Sequence, residues 1–552
     1  MKGFRVVTTA IAAASWFAAS AVAQLDPIVI KGSKFFYKTN GTEFFIKGVA
    51  YQQDFTGNGS TTSNANGGYT DPLADAAGCA RDVPLLQQLQ TNTIRVYAVD
   101  PTKDHSECMS LLTNAGIYVI LDLGNPTVSI NRDTPEWNED IYVRYASVID
   151  GFSNYTNTLG FFAGNEVSNA PNNTAASAFV KAAVRDMKAY IVNKKYRPMG
   201  VGYATDDDDT RTELADYFNC GPAEDSIDFW GYNIYSWCGT SSYSASQYEA
   251  RTQEFSTYNV PAFFAEYGCN KVEPRPFDEV LELFGTNMTK VWSGGIIYMY
   301  FQETNNYGLV SIGSDNKATT NKDFDNLSTQ IAKVNPTGPN FASYTPSNSP
   351  QACPTTSTWQ AATALPPTPN EAICSCMMSS LKCAAKSSLS DTDVAKQFAY
   401  ICSPTVGGVN NCEGILANGT TGAYGAYSMC NGTERLSWAY NQYYLNQTST
   451  NTQNNQACDF SGTAQTQSAK AASSCASITS QAGAQGTGTV TNAPAATGIS
   501  GSGNGNGGSG GTSSTSKAAA IVLTVPAFDF GILKLAAYVT SAMLVGVGMV
   551  LL

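Results

Sequence analysis

The sequence predicts an α/β fold in which a (β/α)8 barrel of the TIM type forms the larger domain, followed by a small, disulfide-rich, mainly helical module. Two observations predict the barrel. Eight short apolar runs with β-forming residues recur between residues 44 and 301, and segments long enough for a helix separate them. A third observation predicts the module: cysteine density rises after Cys353, while large apolar residues become fewer.

The strands and helices of the barrel are predicted from these alternating runs. The strand candidates are Phe44–Tyr51, Thr93–Val99, Tyr118–Leu123, Thr158–Glu166, Met199–Thr205, Phe229–Tyr235, Ala262–Tyr267 and Gly295–Phe301. The helix candidates include Asp75–Gln90, Glu136–Ile149, Ala175–Lys194 and Phe277–Trp292. A doubly wound open sheet is the alternative, and it is less favoured because no Gly-x-Gly-x-x-Gly turn follows any of these strands.

The first 23 residues are typical of a secretory signal peptide. Lys2 and Arg5 precede a nearly uncharged run from Val6 to Val22, and Ala21-Val22-Ala23 has the small-x-small pattern of a cleavage site. The mature chain is therefore predicted to begin at Gln24. An N-terminal membrane anchor is less favoured, because the apolar run is short and interrupted.

The C-terminal end has the order of segments that directs attachment of a glycosylphosphatidylinositol (GPI) lipid. Residues 479–506 form a Gly- and Ser-rich stalk, and an apolar tail from Leu533 to Leu552 ends the chain. We expect attachment at Asn506, within the range Asn504–Ser514, and removal of residues 507–552. The protein is then anchored by its lipid to the extracellular face of the plasma membrane.

Composition excludes several classes of function. The 14 cysteines are an even number behind a signal peptide, which favours disulfides over metal sites. His105 is the only histidine, so a Cys/His zinc cluster is not expected, and the run Asp206–Asp209 lacks the ligand spacing of a calcium loop. We therefore expect no metal and no cofactor. The net charge of −12, with no basic patch, argues against nucleic acid as a partner and is compatible with a neutral polysaccharide. No obligate protein partner is indicated.

Two glutamates end the fourth and seventh predicted strands. Glu166 closes the sequence Phe162-Ala163-Gly164-Asn165-Glu166, and Glu266 lies in Phe264-Ala265-Glu266-Tyr267-Gly268. Reactive groups of barrel enzymes lie at the carboxyl ends of the strands. Two facing carboxyl groups are what glycoside cleavage requires, one as acid and one as nucleophile or base. A single glutamate of this kind would more often be a solvated strand end, but two at these positions indicate a glycoside-cleaving site.

The motifs around these glutamates resemble those of the fungal β-1,3-glucanosyltransferases of glycoside hydrolase family 72. The resemblance runs from the signal peptide to the GPI tail. The matching segments are Arg95-Val96-Tyr97, Leu121-Asp122-Leu123, Ala163 to Glu166, Gly231-Tyr232-Asn233, Trp237-Cys238-Gly239, Phe264 to Gly268, and Tyr298-Met299-Tyr300-Phe301-Gln302-Glu303.

The resemblance implies roles for individual residues and a retaining mechanism. Glu166 would be the general acid/base and Glu266 the nucleophile. The residues implied to line the glucan-binding cleft are Tyr97, Asp122, Asn165, Tyr232, Tyr298 and Tyr307. Tyr300 is a further candidate for stacking on the acceptor sugar. Donor and acceptor would both be β-1,3-glucan chains. The residues alone do not separate this transferase from an endo-β-1,3-glucanase, and a non-catalytic glucan-binding wall protein is the alternative from another class.

The chain is expected to divide into residues 24–345 as the catalytic barrel, 346–370 as a linker that includes Cys353, and 371–478 as the cysteine-rich module. The module resembles the carbohydrate-binding module of family 43, of the X8 type. Trp438, Tyr440, Tyr443 and Tyr444 are its candidate glucan-binding residues, and bracing of the barrel is the alternative role. The disulfides implied by the two resemblances are Cys79–Cys108, Cys220–Cys353, Cys238–Cys269, Cys374–Cys430, Cys376–Cys475, Cys383–Cys458 and Cys402–Cys412.

Overall fold

The computed structural model of the chain describes residues 25–53, 69–403, 406, 409–450 and 455–491. The predicted signal peptide (residues 1–23), the predicted attachment site Asn506 and the predicted propeptide (residues 507–552) lie outside the described residues. Within those ranges, no helix combines the length and the apolar composition needed to cross a membrane.

A β-hairpin that the sequence did not predict precedes the barrel. Strands β1 (Ile28–Lys31) and β2 (Lys34–Tyr37) pair antiparallel. The ring of Phe35 on β2 contacts the rings of Phe229 and Phe263, with centroids 6.2 and 6.1 Å away. The hairpin therefore covers the end of the barrel opposite the carboxyl ends of the strands.

Eight parallel strands close into a barrel, as predicted, in the order β10-β3-β4-β5-β6-β7-β8-β9. Their bounds are β3 Ile46–Ala50, β4 Thr93–Val96, β5 Tyr118–Asp122, β6 Thr158–Asn165, β7 Gly200–Asp206, β8 Trp230–Asn233, β9 Ala262–Tyr267 and β10 Trp292–Ile297. Seven of the eight agree with the predicted runs to within a few residues. The eighth begins and ends earlier than the predicted Gly295–Phe301, because the chain leaves the sheet after Ile297.

Eight helices accompany the barrel strands among the described residues. Their bounds are α1 Ala76–Gln88, α2 Ser106–Asn114, α3 Glu139–Phe152, α4 Ser177–Asn193, α5 Arg211–Asn219, α6 Tyr248–Glu254, α7 Glu279–Leu283 and α8 Lys322–Ile331. The expected long helix Phe277–Trp292 is wrong, since only α7 forms there and the chain then continues in turns. A small hairpin of β11 (Val310–Ile312) and β12 (Ala318–Thr320) precedes α8.

The barrel interior is filled by phenylalanine rings that pack where glycines leave space. Phe162 on β6 meets Phe229 edge to face, with centroids 5.3 Å apart. A Cβ atom added at Gly202 on β7 would lie only 2.3 Å from the Phe229 ring. Burying such a ring contributes roughly 1.5–3 kcal/mol. The interior of the barrel is thus a packed core.

The cysteine-rich module has its own hydrophobic core, centred on residues such as Met377, Leu436 and Tyr440. Helix α12 passes through the middle of it. The module's elements are α9 Glu371–Ser380, α10 Asp391–Ile401, α11 Val409–Cys412, α12 Gly432–Thr450 and α13 Ala476–Ala482, with the short strands β13 Cys383–Ala385, β14 Ala417–Asn418, β15 Ala423–Tyr424 and β16 Ala464–Thr466.

Seven disulfides are present, and they are the pairs that the resemblance implies. Three involve the barrel: Cys79–Cys108, Cys220–Cys353 and Cys238–Cys269. The module contains Cys374–Cys430, Cys376–Cys475, Cys383–Cys458 and Cys402–Cys412. The bond of Cys353 to Cys220 ties the chain that follows the barrel to helix α5's C-terminal end.

Polar contacts join the module to the barrel at the start of helix α3. The backbone N–H of Glu139 donates to the carbonyl of Met429 at 3.0 Å, and Arg435 forms an ion pair with Glu136 at 2.7 Å. The carboxyl group of Glu434 on the module lies near that of Glu139, close enough for the two charges to interact. Burial and the charge of Glu434 raise the pKa of Glu139 to about 8, and burial also raises the pKa of Glu434.

Candidate active site

Glu166 follows strand β6 directly and emerges at the open end of the barrel. Its N–H donates to the carbonyl of Ala204 on the neighbouring strand at 2.9 Å. The Nδ2 of Asn233 donates to its Oε1 at 2.7 Å, and the guanidinium of Arg132 donates to its main-chain carbonyl. The carboxyl group is only partly buried, which leaves one side of it accessible from the cleft.

Glu266 lies within strand β9 and is the more enclosed of the two, with 9% of its surface exposed. Its Oε1 accepts from the hydroxyl of Tyr97 and its Oε2 from the hydroxyl of Tyr235, each at 2.9 Å. Burial raises the pKa of Glu266 to about 7, and the charge of Glu166 adds to the rise. The charge of Arg95 and the two tyrosine hydroxyls oppose it. The three donors therefore favour the ionised form that a nucleophile needs.

Arg95 connects the polar groups beneath the cleft. Its side chain is fully buried and forms a two-pronged pair with Asp122 at 3.1 and 3.0 Å. It also donates to Asn165 at 3.0 Å and to Glu266 at 3.4 Å. Arg95 therefore neutralises two buried carboxyl groups and fixes the position of both.

Asn165 and Asn233 link the two glutamates. Asn165 Oδ1 accepts from Arg95 and from the Nδ2 of Asn233, in both cases at 3.0 Å. With its oxygen used in this way, the NH2 group of Asn165 is the part of the side chain available for a ligand. A continuous path of hydrogen bonds thus runs from Glu166 through Asn233, Asn165 and Arg95 to Glu266.

Tyrosine rings form a wall beside Glu266. Tyr298 and Tyr307 meet edge to face with centroids 5.3 Å apart, and Tyr307 meets Tyr235 at 5.7 Å. Both Tyr298 and Tyr307 are partly exposed. Among the residues expected in the cleft, the structure brings Tyr97, Asp122, Asn165, Tyr298 and Tyr307 together around the two glutamates.

Tyr232 does not lie in the cleft, and the expectation for it is corrected. Its ring is fully buried on the outside of the barrel, stacked on Trp292 with centroids 5.8 Å apart, and its hydroxyl donates to Asp207. Side chains alternate along a strand, and the next residue, Asn233, points to Glu166, so Tyr232 must face outward. Tyr300 is likewise buried, with its hydroxyl on Asp82 at 2.8 Å.

Four functional candidates were missed from the sequence: Arg95, Asn233, Tyr235 and Arg132. Three of them lie inside or beside motifs already noted. The alternation of side chains between the two faces of a strand was the signal that could have identified them. Arg95 lies on the same side of the chain as Tyr97, two residues later, and Asn233, the last residue of β8, is likewise two residues before Tyr235. For Arg132 the sequence carries no local signal, because its partner depends on the path of a long loop.

Several other candidates have structural roles. His105 is buried and pairs with Asp71 at 2.9 Å. Asp207 pairs with Arg251 at 3.0 Å. In the module, Trp438 and Tyr440 are buried in the core, while Tyr443 and Tyr444 are partly exposed. Cys374, Cys430 and Glu434 have metal-ligand spacing, but these two cysteines are bonded to each other.

The site has recognisable counterparts in known proteins. The sequence profile of the glucanosyltransferase family, glycoside hydrolase family 72, matches residues 17–335, and that of the X8 domain matches residues 381–465. A 1,3-beta-glucanosyltransferase of Arthroderma benhamiae is 53% identical, with 99% of both chains covered. The 1,3-beta-glucanosyltransferase gas1 of Schizosaccharomyces pombe is 45% identical, with 85% of this chain and 84% of that protein covered.

The fold also matches a solved structure with sugars bound. A variant of Saccharomyces cerevisiae Gas2p in complex with laminaritetraose and laminaripentaose superposes with a TM-score of 0.71 at 44% identity. The match covers 78% of this chain and 93% of that one. The fold of this chain is therefore shared with a protein that was solved with laminaritetraose and laminaripentaose bound.

Proposed function

This chain belongs to the glucanosyltransferase family, glycoside hydrolase family 72, and from that we propose that it is a 1,3-β-glucanosyltransferase. It cleaves a β-1,3-glucan chain internally and transfers the new reducing end to the non-reducing end of another glucan. The observation that carries the proposal is the pairing of a buried, Arg95-bound Glu266 with a more open Glu166 held by Asn233.

Glu266 acts as the nucleophile in the first step. Its ionised form is favoured by Arg95, Tyr97 and Tyr235, so a carboxylate oxygen is available to attack the anomeric carbon of the donor. The bond to the departing chain breaks as the Glu166 carboxylic acid gives its proton to the leaving oxygen. The product is a covalent glycosyl-enzyme on Glu266.

Glu166 acts as the base in the second step. As a carboxylate, it takes the proton from the hydroxyl of the incoming glucan, whose oxygen attacks the anomeric carbon and frees Glu266. The anomeric configuration is retained after two displacements. Water in place of the acceptor would give hydrolysis, so transfer depends on how well sugar occupies the acceptor side of the cleft.

Sugar rings present C–H faces that pack on aromatic rings, and Tyr298 and Tyr307 supply such rings beside Glu266. The free amide NH2 of Asn165 is suited to a hydroxyl of the sugar that occupies the reaction centre. Asp122, buried under Arg95, acts through that arginine. These features favour an oligosaccharide over a small ligand.

The proposed setting is the cell surface, where the protein takes part in assembly of a fungal wall. It rests on the sequence: a signal peptide over residues 1–23 and GPI attachment at Asn506. We also propose the division into a barrel of residues 24–345, a linker of residues 346–370 and a module of residues 371–478. The separate hydrophobic core of the module supports this division.

The direct test is to incubate the purified full chain with a reduced linear β-1,3-glucan oligosaccharide and to size the products over time. Products longer than the starting oligosaccharide are expected. Glu266→Gln should abolish them, and Glu224→Gln, a change at an exposed position, serves as the matched control. If only shorter products accumulate, the protein is a glucanase. If the oligosaccharide is unchanged, it is a binding protein or acts on another glycan.

A further inference from the structure

Glu166 leaves strand β6 in a backbone conformation that residues with a side chain seldom adopt. Its φ angle is +49°, in the left-handed region where Cβ crowds the carbonyl oxygen. On one side the backbone is held, because the N–H donates to Ala204 at 2.9 Å. The direction of the Glu166 carboxyl depends on this conformation, so the carbonyl side of the residue also needs support.

Arg132 supplies a contact on the carbonyl side. Its Nη2 donates to the main-chain carbonyl of Glu166. The guanidinium also acts on Asp206, at the end of β7: burial and the charges of Glu166 and Asp208 raise the pKa of Asp206 to about 7, and Arg132 opposes that rise. Arg132 thus contacts the backbone of Glu166 and is near enough to Asp206 for its charge to act on that carboxyl group.

The segment that carries Arg132 is braced at both ends. It comprises residues 123–138, between β5 and α3. At its start, the N–H of Leu123 donates to the carbonyl of Phe162 on β6 at 2.9 Å. Near its end, Glu136 pairs with Arg435 of the module at 2.7 Å. Because both ends are fixed, the arginine between them can hold the backbone of Glu166 in a defined place.

We propose that Arg132 is a positioning residue that aims the Glu166 carboxyl at the glycosidic oxygen. The inference rests on the proposed function, in which Glu166 protonates that oxygen as it leaves and later deprotonates the acceptor hydroxyl. Loss of Arg132 should therefore harm the proton transfers, and it should leave the attack by Glu266 on the anomeric carbon intact. A misplacement of about 1 Å in such a group costs on the order of 100-fold in rate.

The test compares two donors in Arg132→Met. One is a reduced linear β-1,3-glucan oligosaccharide, whose leaving oxygen needs a proton. The other is a dinitrophenyl β-1,3-gluco-oligosaccharide with added azide. Its dinitrophenolate leaves as an anion, and azide then attacks the anomeric carbon, forming a glycosyl azide and freeing the Glu266 carboxylate without a base. We expect kcat on the first donor to fall about 10- to 100-fold with KM within about threefold, and kcat on the second to fall less than about threefold.

Two further variants make the comparison decisive. Arg197→Met is the matched control, since Arg197 donates to the main-chain carbonyls of Tyr155, at 2.9 Å, and of Thr158, which is at the opposite end of β6 from Glu166. It should change both donors equally. Arg132→Lys keeps one donor and should show the same selective loss in weaker form, which keeps the test available if the methionine variant folds poorly.

Equal losses on both donors in the Arg132 variants, or full activity on the oligosaccharide, would overturn the inference. A wild-type protein that fails to act on either donor would instead overturn the proposed function.

Discussion

Replacing Arg95 with methionine should shift the pH dependence of the reaction in a direction that the site geometry fixes. Methionine approximates the length of the arginine stem and removes its charge. Glu266 then loses the cation whose Nη1 lies 3.4 Å from its Oε1. Asp122 loses the same partner and stays buried.

The size of the shift follows from that distance. Two unit charges at this separation interact by about 5 kcal/mol at an effective dielectric constant of about 20, which equals roughly 3.6 pKa units. Uptake of a proton by Asp122 and entry of water reduce the effect, so we expect a rise of about 2 units in the pKa of Glu266. Because Glu266 reacts only as a carboxylate, a higher pKa means that activity is lost at low pH. The acidic limb of kcat/KM should therefore move upward by about 2 pH units.

The assay is the pH profile of kcat/KM for transfer, with the folded fraction checked by circular dichroism at each pH. Breaking a buried pair costs roughly 3–5 kcal/mol of stability, so Arg95→Lys is measured in parallel, because it keeps the charge and should shift the limb less. Arg81→Met, which breaks the pair of Arg81 with Asp82 away from the cleft, should lower stability without moving the limb. An unchanged limb in folded Arg95→Met would refute the role of Arg95 in ionising Glu266.

Three further predictions concern other parts of the molecule. The raised pKa of Glu139 means that the carboxyl pair stabilises the module interface below the ordinary carboxyl pKa, and that this contribution is lost as pH rises through about 8. Glu139→Gln should therefore flatten the dependence of Tm on pH. Because the pair is partly exposed, the change in the free energy of unfolding should be ~1 kcal/mol. The control Glu224→Gln should leave the pH dependence of Tm unchanged. Removal of Cys376–Cys475 should cost about 2 kcal/mol more of unfolding free energy than removal of Cys402–Cys412, because the closed loops span 99 and 10 residues. Tyr298→Ala should raise KM for glucan several-fold, whereas Tyr232→Phe should leave KM within about twofold, as judged from initial rates.

Each of these has an outcome that contradicts it. If the Tm of Glu139→Gln depended on pH as steeply as that of the wild type, the raised pKa of Glu139 would not be the source of the pH dependence. Denaturant unfolding measures the loss of unfolding free energy when each disulfide is removed. Equal losses for the two disulfides would mean that loop length does not set their contribution to stability. A large rise of KM in Tyr232→Phe would mean that Tyr232 does line the cleft.

The barrel was predictable because its strands are short, apolar and regularly interrupted. The two glutamates were predictable because each directly ends or closes such a run, where barrel chemistry lies. Side chains alternate between the two faces of a strand, and this alternation decides which residues face the inside of the barrel. Applied to β8, it would have placed Asn233 in the cleft in place of Tyr232. The error there was one of face, and the strand itself was correctly placed.

The missed features depend on contacts between distant parts of the chain. Nothing near Arg132 in sequence indicates that it meets Glu166, since the intervening loop could follow many paths. The short α7 was missed because the apolar spacing of Phe277–Trp292 fits a helix, although Gly285 and Asn287 within it favour turns. The hairpin β1–β2 was missed because its strands have four residues each, near the lower limit for a strand signal.

Each disulfide closes a covalent ring of the chain. One of the two glutamates lies inside the largest of these rings and the other lies outside it. The ring closed by Cys220–Cys353 spans 133 residues and contains Glu266, while Glu166 lies outside it. A protease that cuts one exposed loop inside this ring leaves both halves attached to the same molecule, and the noncovalent barrel holds them in register. A single cut inside this ring should therefore leave the enzyme active until reduction, and the nicked protein should run as a full-length band until a reducing agent is added.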